Sequence, residues 1–313
     1  MKIDDSNIKK TIKYLNNDEC VAIPTETVYG LAANAYSKKA VSKIFKLKKR
    51  PSSNPLIVHY HNINQLKKDC ELNSVFRRLY KKFCPGAISF VLKLKKTSKI
   101  SKIVTNNSNL VAVRFPSHHL TRKILKEIDY PLAAPSANIS SSISPVSKQD
   151  VIDEFGNKIK FVLEGGSSKV GLESTIINLV GKPNILRLGG IDSKTIYKFI
   201  KSSKNNQKRE VNVKMPGSSK LHYSPGIPMR LNVKKNNDDE AFILIKKRKK
   251  KNKNYFYLSK TKNLKEAAKN LYKTLRKIKK NGYKKIAVEK IPNVQIGEAI
   301  NDRLLRASKK WKI

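Results

Sequence analysis

One stretch, residues 23–59, limits what this chain can become. A short, partly β-branched apolar run, Cys20-Val21-Ala22-Ile23, stops at Pro24. Such a run reads as a buried strand, and a proline cannot continue its ladder. Two hydroxyls and a carboxylate follow at the strand's exit, Thr25, Glu26 and Thr27. Gly30 then allows a tight turn or the close approach of a ligand. Residues 38–50 carry Val41, Ile44, Phe45 and Leu47 at helical spacing, and the helix is predicted to end on Lys46, Lys48, Lys49 and Arg50, stopped by Pro51. Pro55-Leu56-Ile57-Val58-His59-Tyr60 reads as a second buried strand. The segment places hydroxyls at one strand end and fixed cations nearby. That suits a small ligand bearing both a carboxylate or hydroxyl and phosphates.

The rest of the first 200 residues mixes elements without strict β–α alternation. Helices are expected at 6–17, 73–83, 117–128 and 148–155, and strands at 88–94, 111–114 and 160–164. Leu132 to Asn138 reads as a strand breaking into a loop of small residues that runs to Ser144-Pro145, and the strand Ile176-Ile177-Asn178-Leu179-Val180 follows Glu173-Ser174-Thr175. Consecutive strands argue for an α/β fold with a twisted mixed β-sheet flanked by helices. Residues 201–226 contain little that packs and read as a linker. Beyond them, strand patterns at 229–233, 241–245, 255–258 and 285–289 surround a long helix, 263–281, with Gly282 as its stop. The expected organisation is a larger domain 1–200, a linker 201–226 and a smaller C-terminal open α/β (Rossmann-like) domain 227–313.

Composition excludes more than it assigns. Lys+Arg number 67 against 23 Asp+Glu, a formal charge of +44 in 313 residues, which would attract nucleic acid or any polyanion. Lys and Asn recur even on ordinary helix faces, so charge alone does not identify a nucleic-acid binder. Within the basic run Lys246 to Lys251, a solvated loop and an RNA or partner contact are both open readings. Cys20, Cys70 and Cys84 lie far apart and match neither a zinc spacing nor a disulfide framework. The N-terminus has no apolar signal region, and no stretch approaches the ~20 apolar residues of a membrane span, so a cytoplasmic protein is expected. Neither a G-x-G-x-x-G nor a G-x-x-x-x-G-K-(S/T) pattern is present.

Three of these segments are specific in combination. P-T-E-T-V-Y-G-L at 24–31, K-x-R-P at 48–51 and N-P-L-I-V-H at 54–59 closely resemble the threonylcarbamoyl-AMP synthases, the YrdC-like family. His222-Tyr223-Ser224-Pro225 resembles the H-Y-(A/S)-P element of the long two-domain form, and residues 296–308 resemble its terminal helix. The resemblance implies a YrdC-like fold and synthesis of threonylcarbamoyl-AMP and pyrophosphate from L-threonine, bicarbonate (or CO2) and ATP. It implies Mg2+ bridging the phosphates, a linker that folds over the site as a lid, and a product handed to the machinery that makes N6-threonylcarbamoyladenosine beside the anticodon of tRNA.

The family's binding residues carry over position by position. On the threonine side the resemblance implies Thr27, His59, Arg114 and Ser174, with Ala134 acting through its backbone. On the ATP side it implies Arg50 with Lys48 beside it, Asn54, Ser136, Ser144, Arg187 and Tyr223, with Leu110 acting through its backbone. No residue is implied as an acid or base. The chain departs from the family at Leu188 (commonly proline), Asn178 (usually acidic), Ser141-Ser142 (often a Gly-containing turn), Met215 (commonly serine) and Leu221 (commonly basic). Two other readings compete. A basic RNA-binding or ribosome-assembly protein would explain the charge but not the motifs. The related domain of hydrogenase-maturation proteins would come with an acylphosphatase module and Cys-rich zinc elements, which this sequence lacks.

Overall fold

The computed structural model describes residues 5–201, 222–249 and 252–309. The chain opens with α1 (Asp5–Asn16), β1 (Val21–Ile23), β2 (Gly30–Asn34), α2 (Lys38–Lys48) and β3 (Ile57–His59). It continues through α3 (Ile63–Leu66), α4 (Ser74–Phe83), β4 (Ile88–Lys93), β5 (Leu110–Arg114), α5 (His119–Glu127) and β6 (Leu132–Ala133). Next come α6 (Lys148–Phe155), β7 (Phe161–Val162), β8 (Thr175–Asn178), β9 (Asn184–Arg187) and α7 (Ser193–Lys201). These nine strands form one mixed sheet, in the order β7-β1-β2-β6-β3-β5-β4-β8-β9. The expected mixed sheet is therefore present, with two strands, β2 and β9, that the sequence reading did not name. Gly30 begins β2, which pairs antiparallel with β1, so residues 24–29 are the connection of a hairpin rather than the approach to a helix.

The local signals explain most boundaries. Asn73 caps α4 by accepting from the Phe76 amide, and Ser147 and Asp150 form a reciprocal capping box on α6. Lys49 ends α2 in the left-handed conformation at φ 48°. The helix expected from residue 117 starts two residues later, and Ser117 gives its backbone N–H to Glu26.

The two faces of the sheet are covered unequally, and that positions the site. One face packs against α2, α4, α6 and α7 through Val41, Ile44, Phe76, Leu79, Val151 and Ile196. On the other face, α1 and α5 cover the β1-β2-β6 end through Ile8, Leu15, Leu120 and Ile124. The remaining strands carry only a small apolar cluster there, Ile57, Val91, Ala112 and Ile176. Polar residues follow on the same side at the strand ends.

The C-terminal segment builds a second sheet from β10 (Met229–Arg230), β11 (Glu240–Lys246), β12 (Tyr255–Ser259) and β13 (Lys285–Val288), with α8 (Leu264–Lys280) and α9 (Gly297–Ser308). Its order is β10-β13-β11-β12 and every pairing is parallel. Buried side chains of α8 and α9 join Val28, Ile143, Val146, Leu172 and Tyr223 in one apolar cluster, so this unit packs directly on the large one. Within the basic run, Arg248 is held by Glu289 at 2.8 Å, Lys246, Lys247 and Lys249 are exposed, and Lys250 and Lys251 lie outside the described residues. Met215 and Leu221 also lie outside them. No helix among the described residues is long and apolar enough to cross a membrane.

Candidate active site

Strand register alone lines up one wall of a pocket. His59 on β3 sits opposite Arg114 on β5, Arg114 opposite Ser89 on β4, Ser89 opposite Ile176 on β8, and Ile176 opposite Arg187 on β9. Residues paired across neighbouring strands point to the same face. The pocket at this face is lined by Thr25, Val28, Gly30, Arg50, Ile57, His59, Arg114, Ala134, Pro135, Ser136, Glu173, Ser174, Arg187, His222 and Tyr223.

Arg114 donates from Nη2 to Glu26 Oε1 at 2.7 Å, and Glu26 Oε2 accepts the Ser117 amide. Burial works against the Glu26 charge, yet Arg114 and these hydrogen bonds hold its carboxyl below the ordinary value. Arg114 Nε is buried without a hydrogen-bond partner among the described residues, and so are both ring nitrogens of His59. Burial first, then the Arg114 charge, pushes the His59 pKa well below 6.5, so its ring is neutral. A buried fork with an unused N–H beside a neutral imidazole with two unused nitrogens is costly by itself and fits a ligand that supplies oxygens and a donor.

The other cations sit at element ends, Arg50 just past α2 and Arg187 at the end of β9. Arg50 is fixed by its own neighbours: Nε donates to the Asn54 carbonyl at 2.9 Å, and Nη2 donates to the Asn54 amide oxygen at 2.6 Å and the Pro55 carbonyl at 2.8 Å. These partners are neutral, and burial pushes its pKa down to about 10, so it remains a cation at neutral pH. Arg187 donates to the Ser174 carbonyl at 3.0 Å and the Ser174 hydroxyl at 3.1 Å. Ser174 Oγ also lies 2.8 Å from Ser89 Oγ. Gly189 is required behind this loop, because a Cβ there would come within 2.3 Å of the Glu173 carbonyl oxygen. Glu173 accepts Ser144 Oγ at 2.6 Å, Tyr272 Oη and Arg303 Nε, and despite burial the Arg303 and Arg187 charges hold its pKa down at about 2.

The expected site residues divide into two groups. His59, Arg114, Ala134, Ser174, Arg50, Ser136, Arg187 and Tyr223 line the pocket together. Thr27, Lys48, Asn54, Leu110 and Ser144 do not line it. Thr27 Oγ1 lies 2.8 Å from Thr25 Oγ1, and Thr25 is the hydroxyl that faces the pocket. Lys48 is buried and donates to the Ser136 carbonyl at 2.6 Å and to the Asn138 carbonyl, holding the small-residue loop from behind. Asn54 anchors Arg50, and Ser144 anchors Glu173. Leu110 starts β5 and packs with the apolar cluster of that sheet face. Glu26, Glu173 and His222 were not assigned as site residues. Their signals were the carboxylates inside P-T-E-T and E-S-T and the histidine beside Tyr223.

The departures have structural accounts. Ser141 takes φ 73°, the left-handed conformation that a glycine adopts at no steric cost. Asn178 closes the β8–β9 turn by accepting the Val180 amide and donating to its carbonyl. Leu188 packs on the small unit's core and gives its carbonyl to Arg303.

Comparison with known proteins accords with this geometry. A Sua5–YciO–YrdC family model described as telomere recombination matches residues 13–189, and one described as the C-terminal domain of threonylcarbamoyl-AMP synthase matches residues 190–309. Threonylcarbamoyl-AMP synthase of Pyrococcus abyssi is 34% identical over 328 residues, covering 98% of this chain and 95% of the relative. The chain belongs to the threonylcarbamoyl-AMP synthase family. The Bacillus subtilis member is 32% identical, over 98% of this chain and 94% of its own. A solved structure, P. abyssi Sua5 complexed with L-threonine, superposes with a TM-score of 0.87 at 32% identity, over 99% of this chain and 96% of that one. The mixed sheet and the additional small unit are thus those of a two-domain member of this family of enzymes.

Proposed function

We propose that this chain is an L-threonylcarbamoyladenylate synthase, a nucleotidyltransferase that joins L-threonine, bicarbonate and ATP into threonylcarbamoyl-AMP with release of pyrophosphate. The observation that carries the reading is the pairing of Arg114 and His59, with buried unused nitrogens, in one pocket with Arg50, Arg187 and Tyr223. The first pair suits an amino-acid carboxylate. The second group suits a nucleotide, through charge for the phosphates and a ring face for the base or sugar.

In this reading Arg114, already held by Glu26, offers its Nε edge to the threonine carboxylate. His59, Thr25 and Ser174 offer neutral polar contacts, and the Ala134 backbone faces the same space. Thr27 acts through Thr25. Arg50 and Arg187 meet the phosphates, with Ser136 beside them and Tyr223 against the nucleotide. Lys48, Asn54 and Ser144 act by holding Ser136, Arg50 and Glu173, and Leu110 supports the pocket floor.

Threonine and bicarbonate give a carbamate with loss of water. A carbamate oxygen then forms a bond to the α-phosphorus while the bond from that phosphorus to the β-bridging oxygen breaks. Pyrophosphate leaves with the electron pair. The nucleophile is already an anion, so no protein base removes a proton in this step, and positioning and electrostatics dominate. Mg2+ fits only as a companion of the nucleotide. No group of three or more His, Cys, Asp or Glu among the described residues could hold a metal, and Glu26 and Glu173 are already bound to arginines. The product is a mixed anhydride, an activated acyl donor, which fits a role in supplying the tRNA threonylcarbamoyl-transferase machinery.

The test is pyrophosphate release by the purified chain with Mg-ATP, omitting threonine or bicarbonate in turn. Release that needs both is expected. Release with neither, or RNA binding without turnover, would overturn the reading.

A further inference from the structure

The small domain reaches the pocket through one buried set of contacts. Gly171, Leu172 and Glu173 run directly before Ser174. Gly171 takes φ +75°, and a Cβ there would lie 2.5 Å from the Lys269 Cα, so this loop lies against the backbone of α8. Leu172 is buried in the small domain's apolar cluster. Arg303, on α9 and 1% exposed, then distributes its guanidinium over three segments. Nε donates to Glu173 at 2.9 Å, Nη1 to Asp302, and Nη2 to the Leu188 carbonyl at 2.8 Å, immediately after Arg187. The same guanidinium lies 4.6 Å from the centre of the Tyr223 ring. One buried cation therefore touches the loop before Ser174, the strand end after Arg187, and the ring that the linker delivers to the pocket.

We propose that Arg303 is a positioning residue of the active site: by locking Glu173, the Leu188 carbonyl and the Tyr223 ring together, it makes docking of the small domain a condition for substrate binding. The inference rests on the substrate reading given above. Arg303 does not line the pocket and acts only through the residues it holds. Stability alone is a poor reason to bury such a network, because desolvation offsets most of the attraction of a buried ion pair. Geometry is a better reason. A planar fork can satisfy three acceptors in fixed directions, which an ammonium cannot. Of the other polar contacts between the units, Tyr272 donates to the same Glu173 at 2.9 Å, but its hydroxyl reaches no second segment of the pocket wall. Arg276 donates to the Ile143 carbonyl and pairs with Asp150 and Glu154, Lys280 pairs with Asp153, and Ser193 donates to Glu298 at 2.6 Å; none of these residues lines the pocket.

The experiment compares full-length wild type, Arg303→Lys, Arg303→Met and Leu244→Ala. Leu244 is buried with Phe242 and Ala287, in a cluster separate from the docking core, and serves to lower stability without touching the contact. Dissociation constants for ATP and for threonine are measured by calorimetry, KM and kcat by pyrophosphate release, and folding by thermal melting. The inference expects Arg303→Lys to fold, with ATP and threonine dissociation constants raised at least tenfold and kcat lowered less. Arg303→Met should lose more. Leu244→Ala should lower the melting temperature yet keep both dissociation constants within twofold below it. Wild-type affinities in Arg303→Lys would overturn the inference, and so would the same affinity losses in Leu244→Ala. If Arg303→Met fails to fold, the lysine variant decides. A wild type that binds both ligands without the expected turnover sinks the proposed reaction and leaves the dissociation constants to decide the role of Arg303; a wild type that binds neither overturns both.

Discussion

The two walls of the pocket are built by different means. The wall of His59 and Arg114, continued by Ser89 behind Ser174, is fixed by backbone register within one sheet. The wall of Glu173, Ser174, Arg187 and Tyr223 is assembled from a loop, the β9 end of the ladder and the last part of the linker, and is fastened by Tyr272 and Arg303 of the small domain. The first wall is as stable as the sheet. The second is only as stable as the docking. Substitutions should therefore act on the first wall through the chemistry of the removed group, and on the second through order.

Arg114 gives the largest expected effect and the cleanest break of this comparison. Arg114→Ala should raise the threonine KM by about two orders of magnitude, the loss expected for a charge-assisted pair of ~3 kcal/mol. It also leaves Glu26 buried without its cation, which costs about 3–5 kcal/mol of stability. Arg114→Lys should keep part of the stability but little of the threonine affinity, since one ammonium cannot serve Glu26 and a ligand in the fork geometry. Steady-state kinetics and chemical unfolding read the two effects separately. Normal threonine KM in either variant would remove Arg114 from the site.

How far the sequence foretold these walls follows the same division. The strands of the register wall were legible from local signals, an apolar run ending in His59 and another ending in Arg114, and the site roles of those two residues came through resemblance. The docked wall was legible only through resemblance. Nothing in the spacing of Glu173 and Arg303, which are 130 residues apart, shows that they meet. The carboxylate partners were missed for the same reason, because Glu26 looks like any turn acid until Arg114 is placed against it. Thr25 was not singled out beside Thr27, because a hairpin connection, rather than a simple turn, sets how the two hydroxyls approach the pocket. β2 was passed over since its sequence, Gly-Leu-Ala-Ala-Asn, is poor in β-branched residues and owes its conformation to pairing with β1 and β6.

His59 sharpens the comparison with a pH dependence. Its pKa is depressed, so in the native state it stays neutral where the unfolded ring takes up a proton. Between the two pKa values the unfolded state binds more protons, and stability rises with pH. Stability should therefore fall as pH drops below about 6.5, and His59→Asn should reduce that slope without abolishing it, because His118 and His222 are depressed in the same direction. Threonine affinity should fall about tenfold in His59→Asn, the size of one hydrogen bond to a charged group. Its pH profile should show no His59 ionisation between pH 6 and 8 in the wild type. A titrating limb in that range, absent from the variant, would contradict the buried neutral ring.

Glu173 makes the matching test on the docked wall, in a window that reaches to lower pH. Its folded pKa of about 2 lies below the ordinary 4.5, so its contribution is present above pH 4.5 and is lost as pH falls towards 2. Glu173→Gln should flatten the acid limb of a urea-unfolding series below pH 4.5 and leave the slope between pH 4.5 and 6.5, which the histidines supply, unchanged. Equal acid limbs in both proteins would mean that Arg303 and Arg187 do not hold the charge there.

The smallest effect is expected at Tyr223, and it distinguishes order from chemistry most directly. Its ring lies 5.9 Å from Tyr272 in a stacked arrangement, 3.9 Å from His222 and under the Arg303 guanidinium. All three contacts belong to the ring, whereas burial pushes the phenol pKa up and keeps the hydroxyl protonated and neutral. Tyr223→Phe preserves each of these contacts, so ATP affinity and melting temperature should stay within about threefold and a few degrees of wild type, because a surviving stack leaves the ~1–3 kcal/mol of an aromatic contact in place. Tyr223→Ala removes that contact and should weaken ATP binding by the corresponding one to two powers of ten. Calorimetric titration of both variants separates the alternatives. A phenylalanine variant as weak as the alanine variant would show that the hydroxyl, and hence a specific bond, does the work on this wall, and the contrast between a chemical wall and an ordered wall would fail at the residue where it is sharpest.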